Sequence, residues 1–148
     1  MISSTIDQEI KQAMLAKDQA RLRGLRAIKA ALLLAKTEKG QTEDINEDAE
    51  MKILQRLVKQ RKESAAIYKE QGRDDLFTVE EEEIAVISQF LPQQLDREAI
   101  AAVVARIISE TGASTVKDMG KVMGIANKEL AGKADGKLIG ELVKLQLT

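Results

Sequence analysis

The sequence predicts an all-α protein: an N-terminal antiparallel helical domain over residues 1–92, then a small three-helix bundle over residues 93–148. Three observations carry this reading. Hydrophobic residues make up 44% of the chain but aromatics only 2%, so packing rests on Ile, Leu, Val, Met and Ala. With 32% charged residues and a single proline, that composition favours helices over strands. The proline itself, Pro92, separates a long charge-rich helical pattern from a shorter, glycine-punctuated one. Proline removes a backbone donor and biases Leu91 away from helical dihedrals, so one helix stops near Leu91. Asp96 offers the N-cap of the next. Leu91 and Leu95 flank the break, and Phe90-Leu91-Pro92-Gln93-Gln94-Leu95 therefore reads as a packed joint.

Taken in order, Thr5-Ile6-Asp7-Gln8 has capping-box spacing and opens a first helix with Ile6, Ile10, Ala13 and Met14 on one face. Lys17-Asp18 breaks it, with Asp18 capping a second helix that runs to Lys39 and ends at Gly40. Leu25, Ile28, Leu32 and Ala35 form its core side. Arg26, Lys29 and Lys36 form a basic stripe along its edge, interrupted by Leu33. Residues 41–46 are a polar loop, and Asn46 caps a long third helix that extends to about Gln71 and ends at Gly72. Its apolar face carries Leu54, Leu57, Val58, Ala65 and Tyr68, with Lys52, Arg56, Lys59 and Glu63 opposite. Thr78-Val79-Glu80-Glu81 is a further capping box, opening a fourth helix with Val79, Val86, Ile87 and Phe90 inward.

Two charges fall in the middle of these apolar faces: Arg61 on the third helix and Glu83 on the fourth. An unpaired buried charge is costly and a paired one tolerable, so they are expected to form an ion pair between the two helices. A substrate-binding role for Arg61 is the alternative. Beyond the joint, Ile100, Val103, Val104, Ile107 and Ile108 mark a fifth helix closed at Gly112. Ser114 is the expected cap of a sixth, with Val116, Met119, Met123, Ala126 and Leu130 inward and Lys117, Lys121 and Lys128 aligned on its other face. Gly132 ends it, and Asp135 caps a last helix carrying Leu138, Leu142 and Leu145, with Lys137 and Lys144 on the polar side. Gly120, Gly124 and Gly140 lie within helical pattern, where glycine costs up to ~1 kcal/mol relative to alanine. They permit close approach, either of another helix or of a phosphate-rich partner.

The chain has no Cys and no His. That excludes thiol and imidazole catalysis, Cys/His zinc sites and disulfides. No carboxylate loop suggests a metal, no Walker loop or nucleophile elbow is present, and no cofactor is implied. The N-terminus lacks a signal-peptide layout, and apolar runs such as Ala30–Ala35 are far too short to span a bilayer. These features lead to the expectation of a soluble, cytoplasmic protein without membrane contact. Net charge is -1 but unevenly spread. Residues 17–39 and 52–73 each carry seven basic and two acidic side chains, whereas Glu43–Glu50 and Glu80–Glu83 collect negative charge.

The chain resembles the YqeY family, the GatB/YqeY domain proteins. The segments that carry the resemblance are Leu25-Arg26-Ala27-Ile28-Lys29-Ala30-Ala31, Lys59-Gln60-Arg61-Lys62-Glu63-Ser64, Tyr68-Lys69-Glu70 with Gly72-Arg73, the joint at Phe90–Leu95, Lys117-Asp118-Met119-Gly120-Lys121-Val122-Met123-Gly124, and Gly132-Lys133-Ala134-Asp135-Gly136-Lys137. Phe90 stands where the family often has Tyr. The resemblance implies that the C-terminal part is similar to the tail of the B subunit of the glutamine-dependent aspartyl/glutamyl-tRNA amidotransferase, a tRNA-binding appendage remote from the chemistry. The function expected is a non-catalytic tRNA- or RNA-binding adaptor, with Lys117, Lys121, Lys128, Lys133 and Lys137 on the phosphate backbone and Arg26 and Lys29 extending the footprint. Two other readings stand beside it: a protein-interaction module using the Lys52–Glu63 face, and an accessory of glutamine-dependent amido transfer (carbon–nitrogen ligase chemistry) assembling with amidotransferase subunits.

Overall fold

The computed structural model describes residues 1–38 and 45–148. The described residues form seven α-helices and no strand, in two compact units, Met1–Leu91 and Pro92–Thr148. The expected end of the second helix at Lys39 and Gly40, and most of the polar loop after it, lie outside the described residues.

In the first unit, α1 (Ile2–Leu15) and α2 (Gln19–Glu38) form a hairpin, followed by α3 (Glu47–Glu70) and α4 (Asp74–Ser88). The helix α1 starts a turn earlier than its Thr5 capping box implies. Its first amides are satisfied from a distance: Ile2 N and Ser3 N donate to the Glu50 carboxylate of α3 at 2.9 and 3.1 Å. Thr5 is thus inside the helix, its hydroxyl donating back to the Ile2 carbonyl. At the hairpin Lys17 adopts φ +57°, and the Asp18 carboxylate accepts from the Arg21 amide at 3.1 Å, starting α2 where expected.

Leu22, Gly24, Leu25, Ile28 and Leu32 are the buried side of α2. The helix α3 begins as expected, the Asn46 side chain accepting from Ala49 N at 2.8 Å. It ends at Gly72 with φ +71°, a left-handed turn that costs glycine little. The fourth helix again starts earlier than expected. Asp74 and Asp75 occupy its first turn, and the Thr78 hydroxyl donates to the Asp74 carbonyl at 2.9 Å, so Thr78 is an interior residue and not a cap. Ile2, Ile6, Leu25, Ile28, Leu54, Val58, Val86 and Ile87 lie in one core, with Phe90 and Leu91 packed against it.

Across the α3–α4 contact the two inward charges meet. Arg61 Nε donates to Glu83 Oε2 at 2.9 Å, and Arg61 Nη1 to the Leu57 carbonyl at 3.3 Å. Burial, and then the charge of Glu83, push the carboxyl of nearby Glu80 up, while Arg61 opposes the shift. Because Arg61 and Glu83 are only 18% and 16% exposed, removing one partner strands the other. Arg61→Met is expected to cost about 2 kcal/mol in urea titration, and adding Glu83→Leu to restore most of it. Additive losses in the double variant would contradict the pairing energetics.

In the second unit, α5 (Arg97–Thr111) is capped by Asp96, whose carboxylate accepts from Ala99 N at 2.8 Å, and closes at Gly112 with φ +69°. The next cap differs from expectation. Thr115, not Ser114, caps a 3-10 turn, Val116–Asp118, which precedes α6 (Met119–Glu129). Asp118 completes the box by accepting from the Ser114 and Thr115 amides. A 3-10 turn advances roughly 120° per residue against roughly 100° in an α-helix, so the face shifts in phase. Val116, expected in the core, is 49% exposed, and Val122 is fully buried with Ala126 and Leu130.

The last helix, α7 (Gly136–Leu147), follows the Asp135 cap. It buries Ile139, Leu142, Val143 and Leu147 against α5 and α6, while Leu145, expected inward, is 63% exposed. The downstream half of the joint is fastened to this unit by hydrogen bonds to the turn before α7. Leu95 N donates to the Lys133 carbonyl at 3.0 Å and Gln94 Nε2 to the Gly132 carbonyl at 2.6 Å, while Leu95 packs on the core.

Candidate nucleic-acid interface

The α6 side of the second unit presents cations that its own acids offset only in part. Lys117, Lys121, Lys128, Lys133 and Lys137 are all exposed. Among the described residues none of the five forms an ion pair. Lys121 and Lys128, seven residues apart, share one face of α6 about 10 Å apart along its axis. Lys117 lies in the 3-10 turn before the helix, so the three do not form the single helical row that a helix starting at Ser114 would give. Lys133 lies in the turn after α6, where its carbonyl is held by Leu95, and Lys137 is in the first turn of α7.

The acids interleaved with these lysines have other partners. Glu129 pairs with Arg106 of α5, which also binds Glu110 at 2.9 Å. Asp118 is held below the ordinary carboxylate range by the Ser114 and Thr115 amides first, and also by the charge of Lys121. It stays ionised as a cap and offsets part of the Lys121 charge. Asp135 caps α7, accepting from Lys137 N at 3.3 Å.

The glycines on α6 are bare. A Cβ built on Gly120 or Gly124 would meet no neighbouring side chain or element within 4 Å among the described residues, so packing within the second unit does not explain them. Gly140 does face a neighbour, with Met123 Cε 3.7 Å from its Cβ position. Residues 92–148 contain no Phe, Tyr or Trp, which leaves no ring on which an unstacked base could lie.

Arg26 and Lys29 belong to the first unit. Lys29 is engaged by Asp7 at 2.5 Å, whereas Arg26 is exposed. Lys52, Arg56, Lys59 and Glu63 lie exposed on α3, as expected. Two residues prove more important than their sequence context suggests. Glu50 belongs to an acidic run of the kind that is usually solvated, but it is 0% exposed. Its spacing of four from Leu54 places it on the same inward face as Arg61, which is the available signal. Gly24 is buried against Val86, and a glycine inside the apolar stripe of α2 is its signal. No three acidic side chains among the described residues converge as a metal site. No single described helix is long and apolar enough to cross a membrane.

Comparison with known proteins places these observations in a family. The model of the Yqey-like protein family matches residues 3–147. The chain is 29% identical over 143 residues to Altered inheritance of mitochondria protein 41, mitochondrial, of Kluyveromyces lactis, an alignment covering 94% of this chain and 72% of that protein. The proteins of the same name from Meyerozyma guilliermondii and Lachancea thermotolerans are 34% and 30% identical over 60% and 61% of this chain. Those alignments span 45% and 48% of the relatives, so the chain matches about half the length of each. All three relatives are named as mitochondrial, which overturns the expectation of a cytoplasmic protein. The lack of cysteines bears on secretion and does not distinguish one reducing compartment from another. With the family match running nearly end to end over an all-α chain, the protein belongs to the YqeY-like family.

Proposed function

We propose that the α6 side of the second unit binds the phosphate backbone of a structured RNA, with tRNA as the first candidate, and that the chain acts as an RNA-binding adaptor. The observation that carries this reading is the set of five exposed lysines without ion-pair partners among the described residues, beside a helix surface kept bare by Gly120 and Gly124. Phosphate binding needs clustered, uncompensated cations, and folded RNA presents a rigid backbone to such a surface. The absence of aromatic residues from residues 92–148 favours a folded RNA over a single strand. The direct test is titration of labelled tRNA with wild type and with the Lys117→Glu/Lys121→Glu/Lys128→Glu variant. Unchanged affinity in that variant would remove the proposal.

The glycines give an independent check. With open space at both Cβ positions, Gly120→Ala and Gly124→Ala are each expected to stabilise the second unit by up to about 1 kcal/mol, read by thermal or urea unfolding. If RNA approaches this backbone, the same variants bind tRNA more weakly although they are more stable. Higher stability with unchanged binding would place the RNA elsewhere.

A further inference from the structure

We infer that α1 is a strap over the apolar side of α2, latched by Glu50, and that it opens as a unit while the rest of Met1–Leu91 stays folded. The first unit is held together mainly by the packing of α4 on α2 and α3; α1 has α2 as its main partner. Only Ile2, Ile6 and Ala13 of its 14 residues are buried. A groove of about 170 Å³ runs along the latch end, lined by Ser3 and Ile6 of α1, Leu32 and Leu33 of α2, and Glu50 of α3. Packing there is incomplete among the described residues.

The attachment at that end is concentrated in one side chain. No side chain of α1 caps its own N-terminus. Both oxygens of Glu50 are used instead, accepting from Ile2 N and Ser3 N across 48 and 47 residues of chain. The carboxylate is fully buried and makes no ion pair among the described residues, so the two amides and the positive end of the α1 dipole are its compensation. Two further ties, Lys29 to Asp7 at 2.5 Å and Arg21 to Glu9 at 2.7 Å, reach solvent and are correspondingly weak. A helix with few buried residues, one main packing partner and one specific latch has the attributes of a low-stability cooperative segment.

Hydrogen exchange on the full chain tests this in two ways. In Glu50→Gln, exchange of the α1 amides is expected to rise roughly tenfold to a hundredfold, with α3, α4 and the second unit unchanged. Loss of protection across all of Met1–Leu91, or no change in α1, would overturn the inference. In the wild type, exchange along a urea series avoids any folding defect of the variant. The α1 amides should exchange through an opening with a smaller urea dependence than α3 and α4, and merging of α1 with the global isotherm would overturn the strap.

Discussion

Gly24→Ala is expected to destabilise the first unit by about 2 kcal/mol, although alanine is the better helix former. A Cβ at position 24 would sit 2.7 Å from both Cβ and Cγ1 of Val86. The Val86 Cβ is fixed to the α4 backbone, so the clash is not relieved by turning a flexible tip, and α2 and α4 must move apart. Overpacking of this kind costs about 1–3 kcal/mol, against a propensity gain of up to about 1 kcal/mol. Gly24→Val should cost more. The partner test is Val86→Gly, which opens space at the position Gly24 now leaves free. The Gly24→Ala/Val86→Gly protein is expected to lie at least about 1 kcal/mol above the sum of its single variants in urea titration. A stabilising Gly24→Ala would contradict the close α2–α4 approach. The same substitution at Gly120 and Gly124 carries the opposite expected sign, because those positions are open.

Most features legible in the sequence were those whose determining contact is local. Asn46 and Asp96 cap the helices that follow them, and Gly72, Gly112 and Gly132 take the left-handed conformation. Each of these features is decided within a turn of chain. The Thr5 and Thr78 boxes mislead because a Thr followed three residues later by a polar acceptor also fits a helix interior, where the hydroxyl bonds back to a preceding carbonyl. What starts α1 instead is Glu50, 48 residues away, and no local rule contains that contact. Arg61 and Glu83 were recoverable across 22 residues because each interrupts an apolar stripe and they have opposite signs. The same phase argument applied to Glu50 fails to name a partner, since its partners are backbone amides. On the α6 side, exposure of Lys117, Lys121, Lys128 and Lys137 followed from amphipathicity. Their arrangement did not, because the short 3-10 turn at Val116–Asp118 changes the phase between Lys117 and the α6 lysines.

The second large effect concerns those lysines. If α6 meets RNA as proposed, reversing Lys117, Lys121 and Lys128 would replace three attractions to phosphate with three repulsions, at positions that form no ion pair among the described residues. Affinity for tRNA at low salt is expected to fall on the order of a hundredfold. The fold should be retained, since all three side chains are exposed. Reversal of Lys52, Arg56 and Lys62 on α3 makes the same change in net charge on another helix and separates a local effect from a general charge effect. The most direct single measurement is the salt dependence of tRNA binding by wild type and the α6 variant. The slope of log affinity against log salt should become shallower by roughly 2–3 in the variant, about 0.7–0.9 for each phosphate that the variant no longer neutralises. Equal slopes and equal affinities for the two proteins would contradict an α6 interface with RNA.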